Sequence, residues 1–149
     1  MSDFPQSTIR AGIPQLSSAL FHVTQFSVGD PVVFLEIENQ GTLCIVRDVE
    51  LDRARKTVKA DRIAVPADFA PEGGLSADRE VATAQAAAEC LRKAGVKAIK
   101  AERSLPLSFA HVLNETGIEV VCDLECGVRE RRQKNEEEIE NLLRSQAVT

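Results

Sequence analysis

The sequence predicts an α/β fold in which helices cover both faces of a mixed β-sheet. Two apolar, β-branched runs, Pro31–Glu38 and Thr42–Asp48, flank an Asn-Gln-Gly turn and therefore predict an antiparallel hairpin. After this hairpin, strand and helix patterns alternate as far as Asp123, an order that favours parallel strands joined by crossover connections. The hairpin would then add antiparallel strands to an otherwise parallel sheet.

The first 30 residues contain the weakest patterns. Residues 7–12 (STIRAG) predict an edge strand, and residues 15–26 predict a short helix followed by irregular chain. Beyond the hairpin, Val49–Lys59 predicts a short helix. Arg62–Val65 predicts a third strand, which Pro66 ends because proline cannot continue the ladder of hydrogen bonds.

The second half has clearer start and stop signals. A helix is predicted from Asp78, a good N-cap residue, to Ala94, with Gly95 as the stop. Strand Val96–Ala101 follows, then a helix from Pro106 to about Thr116, and then strand Ile118–Asp123. Combined with the hairpin, this order predicts an α/β sandwich of the ribonuclease H-like kind.

Composition and charge exclude several classes of protein. The chain has 149 residues, enough for one domain of ordinary size, and 44% of them are hydrophobic. Its net charge of −5 argues against a protein that binds duplex nucleic acid. The sequence contains no apolar run long enough to span a bilayer and no secretory signal at its start. We therefore expect a cytoplasmic protein with no nucleic-acid or membrane partner.

Four cysteines are present: Cys44, Cys90, Cys122 and Cys126. In a cytosolic chain we expect them to be reduced. Cys122 and Cys126 form a CxxxC pair, which lacks the CxxC spacing of zinc ribbons and thioredoxins. The expectation is therefore that all four are small buried or half-buried side chains.

A ribonuclease H-like topology raises the alternative of a metal-dependent nuclease. Such an enzyme holds two metal ions with carboxylates on central strands. The candidate carboxylates are Glu36, Glu38, Asp48, Asp123 and Glu125. Glu36 and Glu38 alternate with apolar residues, so a solvent-facing pair on a half-exposed hairpin is the competing interpretation. No basic groove with interleaved aromatics accompanies them, since aromatic residues make up only 4% of the chain.

No complete active site can be assembled from the other reactive residues. His22 and His111 have no companion at a metal-ligand spacing, and His22 is placed in an irregular segment, where functional side chains often lie. No serine lies in a GxSxG motif. Gly73–Gly74 is too short for a phosphate-binding loop and predicts a surface turn. The sequence therefore predicts no catalytic, metal-binding or cofactor-binding residue.

The last 21 residues predict an amphipathic helix. Asn135 is a good N-cap, and the three glutamates after it suit the positive end of the helix dipole. Ile139, Leu142, Leu143 and Ala147 fall on one face, which requires a partner. The basic stretch RERRQK before the helix either contributes to an interface or forms a solvated linker.

This ending resembles the junction between domains in the creatinase, prolidase and aminopeptidase P family of metallopeptidases. There an N-terminal α/β domain ends in R-R-x-K-x-x-x-E-I, followed by apolar residues and Arg-x-x-Ala. The matching residues here are Arg131, Arg132, Lys134, Glu138, Ile139, Arg144 and Ala147. In the family this helix opens the catalytic domain.

Two upstream segments resemble the same family. Residues 18–26 (SALFHVTQF) are similar to its YLTGF segment, matched at Thr24 and Phe26. His22 stands where tyrosine is usual, and Gln25 replaces the glycine. Residues 43–55 are similar to the family's second hairpin strand and the helix entry after it.

The resemblance implies a domain without its catalytic partner. It implies an N-terminal α/β domain at residues 1–130 and, at 131–149, a linker with the first helix of a missing catalytic domain. The junction residues would be Arg131, Arg132, Lys134, Glu138, Ile139, Leu142 and Leu143. His22 would be a contact at the substrate mouth.

The family's function, carried to this chain by resemblance, is that of a Xaa-Pro dipeptidase or aminopeptidase. The family binds a pair of divalent metals, commonly manganese, through two Asp, one His and two Glu, all of which lie in the catalytic domain. The chain's partners would be that domain and a second copy in a homodimer. The alternatives are a stand-alone ribonuclease H-like nuclease and a binding module without enzymatic activity.

Overall fold

The computed structural model of the chain describes residues 5–125. They form a six-stranded mixed sheet in the order β4-β3-β2-β1-β5-β6. The strands are β1 Thr8–Gly12, β2 Val32–Ile37, β3 Gly41–Ile45, β4 Arg62–Ala64, β5 Ala98–Glu102 and β6 Glu119–Asp123. The helices are α1 Ser18–Thr24, α2 Leu51–Thr57, α3 Arg79–Lys93 and α4 Leu107–Glu115, with 3₁₀ turns at Asp48–Glu50 and Pro66–Phe69.

The direction of the strands follows from their pairing. β2 is antiparallel to β3, as the hairpin predicts, and it is also antiparallel to β1. β4 is parallel to β3, β5 is parallel to β1, and β6 is parallel to β5. Five strands therefore run in one direction and β2 runs in the other. We call the edge of the sheet at which β1, β3, β4, β5 and β6 end the carboxyl edge.

Helices cover both faces of the sheet, which confirms the predicted fold class. One core contains residues of α3 and α4 and includes Val33 and Leu35 of β2. The other contains residues of α1 and α2 and includes Val32 and Phe34 of the same strand. Successive side chains of a strand point to opposite faces, so a strand buried on both sides is apolar throughout most of its length.

The prediction that residues 7–12 form an edge strand was wrong. β1 lies inside the sheet between β2 and β5, and all five of its residues are buried. The short sequence TIRAG contains one large apolar residue, so its composition resembles that of an exposed strand. Its internal position comes from pairing with strands distant in the sequence, which no local pattern records.

Two predicted boundaries also differ from the structure. The second hairpin strand ends at Ile45, so Asp48 lies in the 3₁₀ turn that precedes α2. α1 continues to Thr24, so His22 lies in a helix and not in an irregular segment. The longest predicted helix is confirmed, because Asp78 caps α3 by accepting a 3.0 Å hydrogen bond from the Val81 N–H.

None of the helices within residues 5–125 is long and apolar enough to cross a membrane.

The three described cysteines are reduced and differ in burial. Cys44 and Cys90 are buried, as expected, whereas Cys122 is exposed. The expectation of burial was wrong for Cys122 because β6 is an edge strand that is covered only in part. Burial raises the pKa of the Cys44 thiol to about 12. It also raises the pKa of Cys90, an effect that Arg62 and Lys93 oppose.

These differences predict selective reaction of the thiols. The thiolate is the nucleophile, so a buried thiol with a raised pKa is nearly inert at pH 8. In a Cys126→Ser variant, iodoacetamide is expected to alkylate Cys122 first and Cys44 only as the protein unfolds. Mass spectrometry of peptides taken over time measures this order. Alkylation of native Cys44 as fast as Cys122 would contradict the burial described here.

Candidate functional site

The carboxylates of the nuclease alternative do not converge. Glu36 on β2 lies 3.3 Å from Arg10 on β1, and Asp123 on β6 lies 3.8 Å from Lys100 on β5. Three strand spacings, about 14 Å, separate β2 from β6. Each of these two carboxylates thus faces a cation instead of a second carboxylate.

The other carboxylate candidates lie elsewhere. Glu38 is exposed beyond the end of β2, and its backbone N–H donates to the Ser7 hydroxyl. Asp48 accepts a hydrogen bond from the next backbone N–H at the carboxyl edge, and Glu125 is exposed after β6. Within residues 5–125, no three His, Cys, Asp or Glu side chains are grouped closely enough to hold a metal ion.

The two histidines occupy separate helices. His22 is half-buried in the last turn of α1, and its backbone carbonyl accepts a 2.9 Å hydrogen bond from the Gln25 side chain. His111 is exposed on α4, 3.2 Å from Glu115 one turn later. The predicted role of His22 at a substrate mouth stays a prediction.

The segment Thr24-Gln25-Phe26 ends α1 by a local mechanism. The buried Thr24 hydroxyl donates to the Leu20 carbonyl and accepts from the Phe26 N–H. Gln25 is the C-cap in the left-handed conformation, with φ of 53°. Glycine is the common residue at such a position. Here glutamine occupies it. Its side chain bonds to carbonyls of the same helix, and Phe26 packs against Arg53.

The carboxyl edge carries most of the exposed large apolar side chains. Leu16 follows β1, Val49 follows β3, Leu107 follows β5 and Leu124 follows β6, and their exposures range from 61% to 86%. Among the described residues, only Phe21 of the large exposed apolar side chains lies elsewhere. A contiguous exposed apolar patch is typical of a site of protein contact, whereas single exposed apolar side chains are common.

A partly buried hydrogen-bonded network lies at this edge, with Ser17 and Glu102 buried and Ser104 exposed. Glu102, at the end of β5, accepts hydrogen bonds from the Ser104 N–H at 2.9 Å and from the Ser104 hydroxyl. The Ser104 hydroxyl lies 3.2 Å from the hydroxyl of Ser17, which caps α1. The network therefore links the loops that follow β1 and β5. These loops line a cavity of about 280 Å³.

A second cavity, of about 290 Å³, opens at the same edge between the loop after β3 and the start of α3. Arg47 and Arg79 line it, and both contact Asp30. The two guanidinium groups lie 3.6 Å and 3.1 Å from separate oxygens of the Asp30 carboxylate. We call this cavity the Arg47–Arg79 cavity. Its lining also includes Asp48.

Sequence reasoning did not identify the Arg47–Arg79 cavity. Asp30 and Arg79 are 49 positions apart, and each alone looks like an ordinary surface charge. Of the residues that were predicted, the junction set Arg131, Arg132, Lys134, Glu138, Ile139, Leu142 and Leu143 lies outside the described residues, as does the proposed boundary at residue 130.

Comparisons with known proteins support the resemblance at the level of fold. No protein-family model matches the sequence, and no curated protein sequence matches it either. Among solved structures, an Xaa-Pro aminopeptidase P from Streptococcus thermophilus matches with a TM-score of 0.59 at 12% identity, covering 84% of each chain. An Xaa-Pro aminopeptidase from Streptococcus pyogenes gives 0.58 at 15% identity, over 83% of this chain and 81% of that one.

A prolidase from Pyrococcus horikoshii OT3 matches with a TM-score of 0.56 at 16% identity. The match covers 85% of this chain but 30% of the prolidase. The region shared with the prolidase is thus one part of a longer protein. This chain therefore has the fold found in solved structures of aminopeptidase P and prolidase, in agreement with the resemblance seen in its sequence.

Proposed function

We propose that this chain is the non-catalytic N-terminal domain of a Xaa-Pro dipeptidase- or aminopeptidase-like metallopeptidase. The observation that carries the proposal is the match to these structures over more than four-fifths of the chain. In this role the domain would shape the access of short substrates to a catalytic domain and contribute contacts in a homodimer. The divalent metal pair, with manganese preferred, would belong to the catalytic domain.

The carboxyl edge is the surface that we expect to face the catalytic domain. Leu16, Val49, Leu107 and Leu124 concentrate apolar area there. β6 also ends at this edge, close to Glu125, the last described residue. A neighbouring domain at this edge would cover the exposed apolar side chains.

The nuclease alternative has no support from the described geometry, because Glu36 and Asp123 are paired with cations on separate strands. The binding-module alternative is compatible with the fold. It predicts that no catalytic domain accompanies this one in the natural protein.

The proposal predicts that the isolated 149-residue chain has no peptidase activity. With Mn²⁺ and a dipeptide such as Gly-Pro, proline release is expected to equal the rate in buffer, because the chain brings together no metal ligands within residues 5–125. The assay measures free proline over time, with a full-length prolidase as the positive control. Release by this chain at the rate of that control would overturn the non-catalytic role.

A second experiment tests the domain arrangement. Reading the gene beyond Thr149 is expected to reveal a following domain that carries the two Asp, one His and two Glu metal ligands of the family. A stop codon directly after Thr149 would overturn the proposal and favour the binding module.

A further inference from the structure

We propose that the Arg47–Arg79 cavity binds a small zwitterionic α-amino acid with a compact apolar side chain. The inference goes beyond the proposed function, because it assigns a ligand to this chain alone and requires no peptidase activity.

The guanidinium groups of Arg47 and Arg79 provide the positive charges of the site, and both lie beside Asp30. Asp30 is half-buried and contacts one nitrogen of Arg47 and one of Arg79. Each guanidinium has five N–H donors, so both keep donors that can face a ligand. Arginine donors match the geometry of a carboxylate, and the shared contact with Asp30 reduces the side-chain entropy lost on binding.

The carboxylate of Asp48 makes the site favour a zwitterion over a simple anion. Asp48 lines the cavity together with the two arginines, and its carboxylate is exposed. With Asp30, the four side chains bring two positive and two negative charges, so their net charge is zero. An anion alone would gain from the arginines but would be repelled by Asp48. A ligand with both an α-carboxylate and an α-ammonium group satisfies both signs.

The rest of the cavity is small and mostly apolar, and the Thr83 hydroxyl in its lining donates to the Arg79 carbonyl. Pro31, Val65, Pro66 and Ala82 contribute to its lining. Its volume of about 290 Å³ lies just below the range for ligand pockets, about 300–1,000 Å³. These features suit one amino acid with a branched or cyclic aliphatic side chain rather than a peptide. The cavity also lies at the carboxyl ends of parallel strands, where α/β proteins commonly bind ligands.

The experiment titrates L-valine into the 149-residue chain and follows backbone amide resonances by NMR. Saturable shifts are expected at the amides of Arg47, Val65 and Ala82. Isobutylamine, which lacks the carboxylate, and isovalerate, which lacks the ammonium group, are the matched ligands. Each is expected to bind at least about tenfold more weakly, since each loses charge-assisted hydrogen bonds.

Three variants locate the site. Arg79→Gln removes one cation, and Ala67→Leu fills the cavity from an exposed position without changing a charge. Both are expected to weaken L-valine binding at least about tenfold. Arg55→Gln is the control, since Arg55 is an exposed arginine on α2, paired with Asp52 and outside this lining. It is expected to bind as the unmodified chain does.

The proposal is overturned if L-valine causes no saturable shifts, if isobutylamine or isovalerate binds equally well, or if Ala67→Leu binds with unchanged affinity. Equal weakening by Arg55→Gln would also overturn it, by indicating non-specific attraction. Because the readout is binding, its failure is distinguishable from failure of the peptidase proposal.

Discussion

Phe109→Ala is expected to lower the free energy of unfolding by about 3–5 kcal/mol, the typical cost of removing a buried aromatic side chain. Phe109 is completely buried on α4 and belongs to the core that α3 and α4 form against the sheet. Alanine would leave a cavity in this core. Several alanines of α3 face this core, and such short side chains cannot extend to fill the space.

The control for this prediction lies two residues away. Leu107 is on the same helix but is 86% exposed, so Leu107→Ala is expected to change the free energy of unfolding by less than about 0.5 kcal/mol. Urea denaturation followed by circular dichroism measures both variants, with the slope checked for constancy. Equal losses in the two variants would show that α4 does not dock as described.

Leu20→Ala is expected to cost about 2–5 kcal/mol through the opposite face of the sheet. Leu20 is completely buried on α1 and packs in the core that includes Phe26 and Phe34. Its carbonyl also accepts the hydrogen bond from Thr24 that helps to end α1. Losing the Leu20 side chain would therefore weaken the packing of residues 18–26, the segment that resembles the family motif, against the sheet.

The adjacent residue provides the comparison. Phe21 is 40% exposed and lies outside both cores, so we expect Phe21→Ala to cost less than Leu20→Ala although it removes a larger side chain. Thermal and urea unfolding of the two variants test this order. A larger loss for Phe21→Ala would contradict the orientation of α1. Since Leu20 and Phe109 lie in separate cores, the losses in a double variant are expected to add.

The family motif illustrates how far a local pattern extends. Thr24 and Phe26 matched the family's segment, and the structure shows that they hold the end of α1 through a hydroxyl bond and aromatic packing. Gln25 occupies the left-handed position where glycine is favoured. A local turn thus explains this part of the resemblance without reference to a substrate.

The candidate carboxylates illustrate where such reasoning stops. Alternation along β2 correctly placed Glu36 on one face of the strand, but it could not show that Arg10 lies beside it. The ion pair depends on β1 being next to β2, and the sequence suggested an edge position for β1. An error about strand order therefore changes which side chains meet, even when each strand is predicted correctly.

Local sequence patterns were sufficient for the fold class, the hairpin, the positions of α3 and α4, and the likeness to aminopeptidase P and prolidase. The fold class, the hairpin and the helices depend on hydrophobic period, caps and turn residues, which act over a few neighbouring positions. The likeness depended instead on residue-by-residue resemblance to family motifs, at Thr24, at Phe26 and in the junction segment. The three-dimensional fold was needed to place β1 inside the sheet, to gather exposed apolar side chains at the carboxyl edge and to bring Arg47 and Arg79 to Asp30. Those features depend on contacts between residues that are distant in the sequence. Such contacts form because strands must pair with neighbouring strands while helices cover both faces of the sheet.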